Sequence, residues 1–268
     1  MLLKTTKLLP KLNSQQTRLF HREQREKPDR TILSGGRKLR HELKYLIDEG
    51  TYISLRNRLL PLMTPDSNGK NGEYRVTSLY FDDIYNSGYW QKLNGMETRR
   101  KFRIRTYNLD PSVISLEVKH KDESYVSKLF RRLTEEQYRA LLSGECGFMA
   151  DSDGEEDVFG EFYRSHQLTR LRPRTIVDYR REALIYPFGN LRVTFDKKLS
   201  VCLNTPDMFD PQAQYSPIYG KEIILEVKFD NYIPEHIQAA LHGLNAPLQP
   251  ISKYNICTDR ILEVKSHG

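Results

Sequence analysis

From Leu39 onward, apolar positions alternate with polar ones at period two in some stretches and recur every three or four residues in others. The first period belongs to strands and the second to helices. Leu39–Leu46 reads as a first strand. Asp48 is placed to cap a helix over Glu49–Leu62, where Tyr52, Leu55, Leu59 and Leu62 share a face. Asn68–Gly72 is a loop, Tyr74–Asp82 a strand, and Ile84–Leu93 a short helix that Asn94 and Gly95 stop. Arg99–Tyr107, Val113–Lys121 and Tyr125–Arg132 follow as strands in series, with a turn at Asp110 and Pro111. Thr134 starts a helix through Leu142, with Gln137 where a capping-box partner belongs. An acidic loop over Asp151–Asp157 leads into a helix over Val158–Leu171. Arg174–Leu184, Leu191–Leu199 and Glu222–Phe229 are the last strands. Pro234 suits the first turn of a helix over Glu235–Leu244, and a final helix spans Asn255–Glu263. The fold class is α+β, with roughly eight strands joined by short turns or single helices.

Several of these strands carry charges at i and i+2. Glu42 and Lys44 flank Leu43, Arg103 and Arg105 flank Ile104, Glu117 and Lys119 flank Val118, and Glu226 and Lys228 flank Val227. Arg192, Thr194 and Asp196 alternate with Val193 and Phe195. Each such strand has one charged face and one apolar face. A half-solvated antiparallel sheet satisfies that pattern. So does a closed sheet with its charged face inward. The second reading gains from the uniformity of the charged face, since Glu-x-Lys occurs three times where a solvent face carries Thr, Ser and Gln as well. Helices that cover the apolar faces also leave the charged ones pointing inward. The expected architecture is therefore an eight-stranded antiparallel β-barrel tunnel with surrounding helices.

A charged interior is costly unless a guest compensates it. Lys and Arg exceed Glu on these faces, so the guest is an anion. Arg forks match phosphate oxygens, and several in line match several phosphates in line. Clustered carboxylates add a place for Mg²⁺ or Mn²⁺. Phosphoryl transfer uses that combination. There is no GxxxxGK[ST] loop, so the chain is not a P-loop enzyme.

Composition narrows the partners. The 268 residues are 38% hydrophobic and 29% charged, with a net charge of +7. Residues 1–36 hold eight Lys/Arg against three acids, which leaves only +2 for the body over 37–268. That first segment is expected to be a basic, disordered tail, and Ser34, Gly35 and Gly36 mark its end; its basic, Ser/Thr-bearing character is also that of an organelle transit peptide. The body has little charge to spare for nucleic acid, so Arg99–Lys101 and Phe130–Arg132 read as cavity-mouth or solvated residues and no nucleic-acid partner is expected. No apolar run is long enough for a membrane helix. A membrane-protein partner is left open. Three dispersed cysteines, Cys146, Cys202 and Cys257, suggest a reducing, cytoplasmic setting. His41, His120 and His166 are isolated and read as structural, Asp82 as a helix cap, and Tyr80, Phe81, Tyr89 and Trp90 as packing residues.

Eight stretches in order carry a resemblance: Arg40–Tyr45 (RHELKY), Ser78–Asp82 (SLYFD), Lys101–Arg105 (KFRIR), Leu116–Lys119 (LEVK), Tyr179–Ala183 (YRREA), Leu191–Asp196 (LRVTFD), Leu225–Lys228 (LEVK) and Ser252–Tyr254 (SKY). Together they resemble the VTC domain of polyphosphate polymerases, within the triphosphate tunnel, or CYTH, superfamily. The resemblance implies a tunnel open at both ends. It implies that Lys44, Arg103, Arg105, Lys119, Arg181, Arg192, Lys228 and Lys253 hold the phosphates of ATP and of inorganic polyphosphate. It implies that Glu226 binds Mn²⁺ or Mg²⁺, with Glu42 and Glu117 as assisting acids. The activity implied is a metal-dependent phosphotransfer from ATP to a growing polyphosphate. The attacking group is then a phosphate oxygen, so no protein nucleophile is needed. A tunnel triphosphatase and a non-catalytic polyphosphate-binding module are the alternatives. The chain departs from the family pattern twice. Arg40 stands at the first Glu of the superfamily's ExExK, which favours polymerase over hydrolase, and Pro250 stands where eukaryotic polymerases carry a second Lys.

Overall fold

The computed structural model describes residues 32–33, 37–38, 41–69, 72–122, 125–152 and 157–267. The expected tail therefore lies almost wholly outside the described residues, as does Arg40. Ile32–Leu33 (β1) pairs with Arg37–Lys38 (β2), so the break expected after Gly36 falls within a small antiparallel ladder.

The main strands are His41–Ile47 (β3), Thr64–Pro65 (β4), Glu73–Asp82 (β5), Arg99–Tyr107 (β6), Ile114–Asp122 (β7), Tyr125–Leu133 (β8), Arg172–Tyr186 (β9), Leu191–Cys202 (β10), Tyr215–Pro217 (β11) and Ile223–Phe229 (β12). Eight of them form one antiparallel path in the order β3-β12-β10-β9-β5-β6-β7-β8, with β4 added to β9 and β11 to β10. The helices are Glu49–Leu59 (α1), Ser87–Leu93 (α2), Glu135–Leu142 (α3), Val158–Thr169 (α4), Glu235–Leu241 (α5) and Lys253–His267 (α6). All eight expected strands are present, and β4 and β11 are short additions that alternation over two or three residues cannot reveal.

Closure is where expectation and structure part. Among the described residues no ladder joins β3 to β8, so the sheet is not shown to close into a barrel. It is nonetheless strongly curled. Lys119 on β7 reaches Glu42 on β3 at 2.9 Å, although six strand-to-strand steps along the path separate those strands. The charged face is concave.

The ladder registers carry charges across that face. Lys44 lies opposite Glu226, Lys228 opposite Glu42, Asp196 opposite Arg181, and Arg103 opposite Glu117. The convex face is apolar and covered by helices. Leu79, Phe81, Phe102, Ile104 and Val118 pack under α3 and α4. Phe162 of α4 meets both Phe81 and Phe102 edge-on at 5.1 and 5.4 Å. Leu43, Tyr45, Val193, Phe195 and Val227 pack under α1 and α5 through Leu55, Leu59 and Ile237. Full burial of each such side chain contributes roughly 1.5–3 kcal/mol.

The caps behave as their chemistry requires. Asp48 Oδ1 accepts from Thr51 N, and Thr134 and Gln137 form the reciprocal capping box. Helix α2 starts three residues later than Ile84 because Asp83 Oδ1 accepts from Tyr85 N and Ser87 N and holds the preceding turn. Asp82 receives Gly88 N and Tyr89 N, as expected of a cap. Tyr89 is buried as expected, but Trp90 is 53% exposed and meets Tyr89 edge-on at 5.1 Å from the outside.

Helix α6 corrects a second expectation. The concave face is not charged throughout. Tyr74, Val76, Tyr80, Val177, Tyr179, Val201 and Ile224 form an apolar patch that α6 covers with Tyr254 and Cys257. Tyr254 stacks on Tyr80 at 5.1 Å, and its hydroxyl donates to Asp82 at 2.6 Å. The helix is thus lodged in the curl of the sheet. Cys146, Cys202 and Cys257 are buried free thiols, and among the described residues no helix is long and apolar enough to cross a membrane.

Candidate functional site

The concave face holds a cavity of about 430 Å³. Strand alternation delivers most of its walls, because β3, β6, β7, β9 and β12 each send every second side chain inward. Seven of the eight basic residues expected at the site line it: Lys44, Arg103, Arg105, Lys119, Arg181, Lys228 and Lys253. The last comes from the first turn of α6, not from the sheet.

These cations fall into three groups. In the first, Glu42 and Glu226 lie side by side among lysines. Lys44 stands 3.5 Å from Glu42 and 3.4 Å from Glu226. Lys228 stands 3.3 and 3.2 Å from the same two acids. Lys119 approaches Glu42, and Arg181 lies 3.5 Å from Glu226. Burial and Glu226 push the Glu42 carboxyl up, but Lys119, Lys44 and Lys228 overcome them and hold it near about 2. Glu226 is likewise held well below the usual carboxylate range: Lys228 and Lys44 outweigh burial. Both acids are charged at neutral pH. Burial and Lys44 leave Lys119 lower than an ordinary lysine, at about 8, despite Glu42.

In the second group, Arg181 clasps Asp196 with two bonds of 2.6 and 2.8 Å, and Lys253 meets the same carboxylate at 2.6 Å. In the third, Arg103 pairs with Glu117 at 2.6 Å and donates to the Tyr80 hydroxyl at 3.0 Å. Burial would raise the Tyr80 phenol, but Arg103 and Arg105 bring it below its ordinary value. Arg105 donates to Ser78 Oγ and Tyr179 Oη, and among the described residues no carboxylate pairs with it.

Two of the expected site residues stand apart from the rest. Arg192 does not line the cavity; it is drawn off by Asp66 and the Tyr74 hydroxyl. Asp66 sits in the loop before β5, where no strand pattern announces it. Glu117 does not join Glu42 and Glu226. It is held between Arg103 and Lys128, the latter at 3.1 Å, and it too stays ionised because Arg103 and Arg105 outweigh its burial. The acids thus form a pair and a separate member, and among the described residues no group of three or more His, Cys, Asp or Glu is arranged to hold a metal.

The structure also adds residues. Lys101 lines the cavity next to Arg99, and alternation along β6 already placed it on the face of Arg103. Asp196 was visible in the alternation of β10, but its partners on β9 and α6 were not. Tyr80 and Tyr179 line the cavity as well as packing, and Lys92 arrives from α2 with no sequence signal. His120 lies on the convex side with Glu161 at 3.0 Å, and His166 bonds the Leu171 carbonyl, as expected of structural histidines.

The family model for the VTC domain matches residues 39–262. The chain belongs to the VTC-domain family. No curated protein matches its sequence. Among solved structures, this VTC-domain protein is similar to a Hippeastrum protein described as a candidate adenylyl cyclase with dominant triphosphatase activity. That match has 12% identity and a TM-score of 0.50, and it covers 83% of this chain and 95% of the other. A Bacillus halodurans protein described as a candidate adenylate cyclase is 14% identical, with a TM-score of 0.48 over 81% of this chain and 95% of that one. At 12% identity the likeness to the Hippeastrum protein is one of fold alone.

Proposed function

We propose that this VTC domain is a polyphosphate polymerase that transfers the γ-phosphate of ATP to the end of an inorganic polyphosphate chain. The observation that carries the reading is the Glu42–Glu226 pair ringed by Lys44, Lys119, Lys228 and Arg181, in a cavity that Arg103, Arg105 and Lys253 also line. Such a cavity presents many fixed cations to a guest with many negative charges in line. A terminal phosphate oxygen of the chain, already ionised, attacks the γ-phosphorus; the bond to the bridging oxygen breaks and ADP leaves. The protein's part is to position both phosphate groups and to offset charge in the transition state, at no reorganisation cost because the cations are already held.

Glu226 and Glu42 suit Mg²⁺ or Mn²⁺ in donor chemistry, being adjacent ionised carboxylates. Two carboxylates are too few for an all-protein cage, but these ions are commonly shared between one or two carboxylates and substrate phosphates. Such an ion would supply neutralisation of phosphate charge. Glu117, occupied by Arg103 and Lys128, is left as a holder of Arg103. Arg192, outside the cavity, is left as a brace for Asp66. The guest is ATP or polyphosphate, not nucleic acid, and the reducing setting suggested by the free thiols fits a cytoplasmic enzyme.

A triphosphatase is the second reading, favoured by the activity described for the Hippeastrum protein of the same fold. The two separate cleanly. Purified protein incubated with ATP and Mn²⁺ or Mg²⁺ is expected to yield ADP and long-chain polyphosphate, seen on a stained gel. Orthophosphate with no chain product would establish the hydrolase instead, and tight polyphosphate binding with neither product a binding module.

A further inference from the structure

Strand β6 sends Arg99, Lys101, Arg103 and Arg105 to the cavity, one every second residue. Exposure falls along this row, from half-buried Arg99 and Lys101 to Arg105 at 6%, so Lys101 lies towards the mouth. It differs from the four lysines gathered around the cavity's acids in how it is held. Lys44, Lys119 and Lys228 touch Glu42 or Glu226, and Lys253 touches Asp196. Lys101 is held by neutral oxygens. Its Nζ donates to Asn255 Oδ1 at 2.8 Å and to Ser252 Oγ at 3.3 Å, above the Tyr254 ring at 4.6 Å.

The holder is itself fixed. Asn255 Nδ2 donates to the Tyr89 carbonyl at 2.9 Å, which turns Oδ1 towards Ser252 and Lys101. An ammonium has three donors, and these contacts use two. The third is left for a guest. An anion arriving at Lys44 or Lys228 must compete with the carboxylates those lysines touch, whereas at Lys101 it meets an ammonium held by neutral oxygens in a partly desolvated setting, where pairing is strongest.

We propose that Lys101, positioned by Ser252 and Asn255, is a phosphate-binding subsite at the cavity mouth, taking a phosphate of the guest beyond those gathered around Glu226. This rests on the reading that the guest is a phosphate chain.

The groups facing Lys101 are Arg99 on its own strand, Lys119 from β7, Lys92 from α2, Asp82 at the end of β5, and Tyr254, Ser252 and Asn255 at the start of α6. Asp82 is the one acid among them, and its oxygens are taken by Asp83 N, Gly88 N, Tyr89 N and the Tyr254 hydroxyl. Burial first, then Arg99, pull the free ammonium down to about 7. A bound phosphate favours the charged form and raises that value. Affinity is therefore full below about pH 7 and falls as pH rises from there towards the bound-state value.

The test is calorimetric titration of tripolyphosphate, with EDTA present, into the wild-type protein, Lys101→Met and Lys101→Arg at about pH 6.5 and about pH 8.5. Tripolyphosphate's own titration is common to all three and cancels. The wild type is expected to lose about tenfold more affinity over this span than Lys101→Met, while Lys101→Arg, charged throughout, loses no more than Lys101→Met. At about pH 6.5 the wild type is also expected to bind about tenfold more tightly than Lys101→Met, and equal affinities there would overturn the subsite and leave the phosphate cavity standing. Absence of tripolyphosphate binding by all three folded proteins would instead overturn the phosphate reading of the cavity, and the subsite with it.

Discussion

At the scale of single residues, Glu226 has two effects that oppose each other. Its charge offsets Lys44, Lys228 and Arg181, so it reduces the pull of the cavity on an anion. As half of the carboxylate pair it also supplies oxygens for a metal. Glu226→Gln keeps the shape and removes the charge. Metal-free tripolyphosphate is then expected to bind about tenfold tighter, while turnover of ATP with Mn²⁺ or Mg²⁺ is lost. Calorimetry and ADP release measure the two; weaker binding together with lost turnover would mean that Glu226 organises the fold rather than the chemistry. Lys101 shows how far residue-scale reading reaches. It is written into β6 two positions before Arg103, on the same face. Its hold by neutral oxygens depends on Ser252 and Asn255, about 150 positions away in sequence.

At the scale of elements, β6 shows why the charged pattern was legible. Arg103 and Arg105 point one way, Phe102 and Ile104 the other, and one apolar stripe of α4 meets the latter. Removing the Phe162 ring leaves a hole between Phe81 and Phe102 on the convex side. Phe162→Ala is expected to destabilise the protein by about 3–5 kcal/mol in urea unfolding. Tripolyphosphate affinity per folded molecule should stay as in the wild type, because the cavity lies on the other face of the sheet. Helix α6 shows the opposite case. Its own pattern reads as an ordinary terminal helix. Whether its Tyr254 and Cys257 pack on the convex or the concave face is not written in that pattern, since both faces carry apolar residues where it lands.

At the scale of the whole molecule, the cavity is a store of buried, paired charge. Glu42, Glu117, Asp196 and Glu226 all have folded-state pKa values depressed by cations that outweigh burial. Their contribution to stability is present above the unfolded carboxylate range and is lost as pH falls through it, from about pH 4.5 towards about 2. The urea midpoint is expected to be flat near neutrality and to drop steeply over that window. A midpoint unchanged down to about pH 3 would mean that these ion pairs add nothing to the fold.

The sequence by itself determined the elements and their faces. Period-two alternation marks a charged and an apolar side on any strand, and that information is local. It is therefore enough to put Lys44, Arg103, Arg105, Lys119 and Lys228 on charged faces, whereas Arg181, between Arg180 and Glu182, was marked by the family resemblance alone. What only the tertiary structure decided is which charges meet. Arg192 has the same alternation as its neighbours but is captured by a loop residue, Asp66. Glu117 has the same Glu-x-Lys setting as Glu226 but sits in register with Arg103 rather than beside Glu42. The curl of the sheet, and the lodging of α6 in its concave face, follow from packing among segments far apart in the chain. Ion pairing depends on distances of a few ångströms, and those are set by register and curvature, which no single strand encodes.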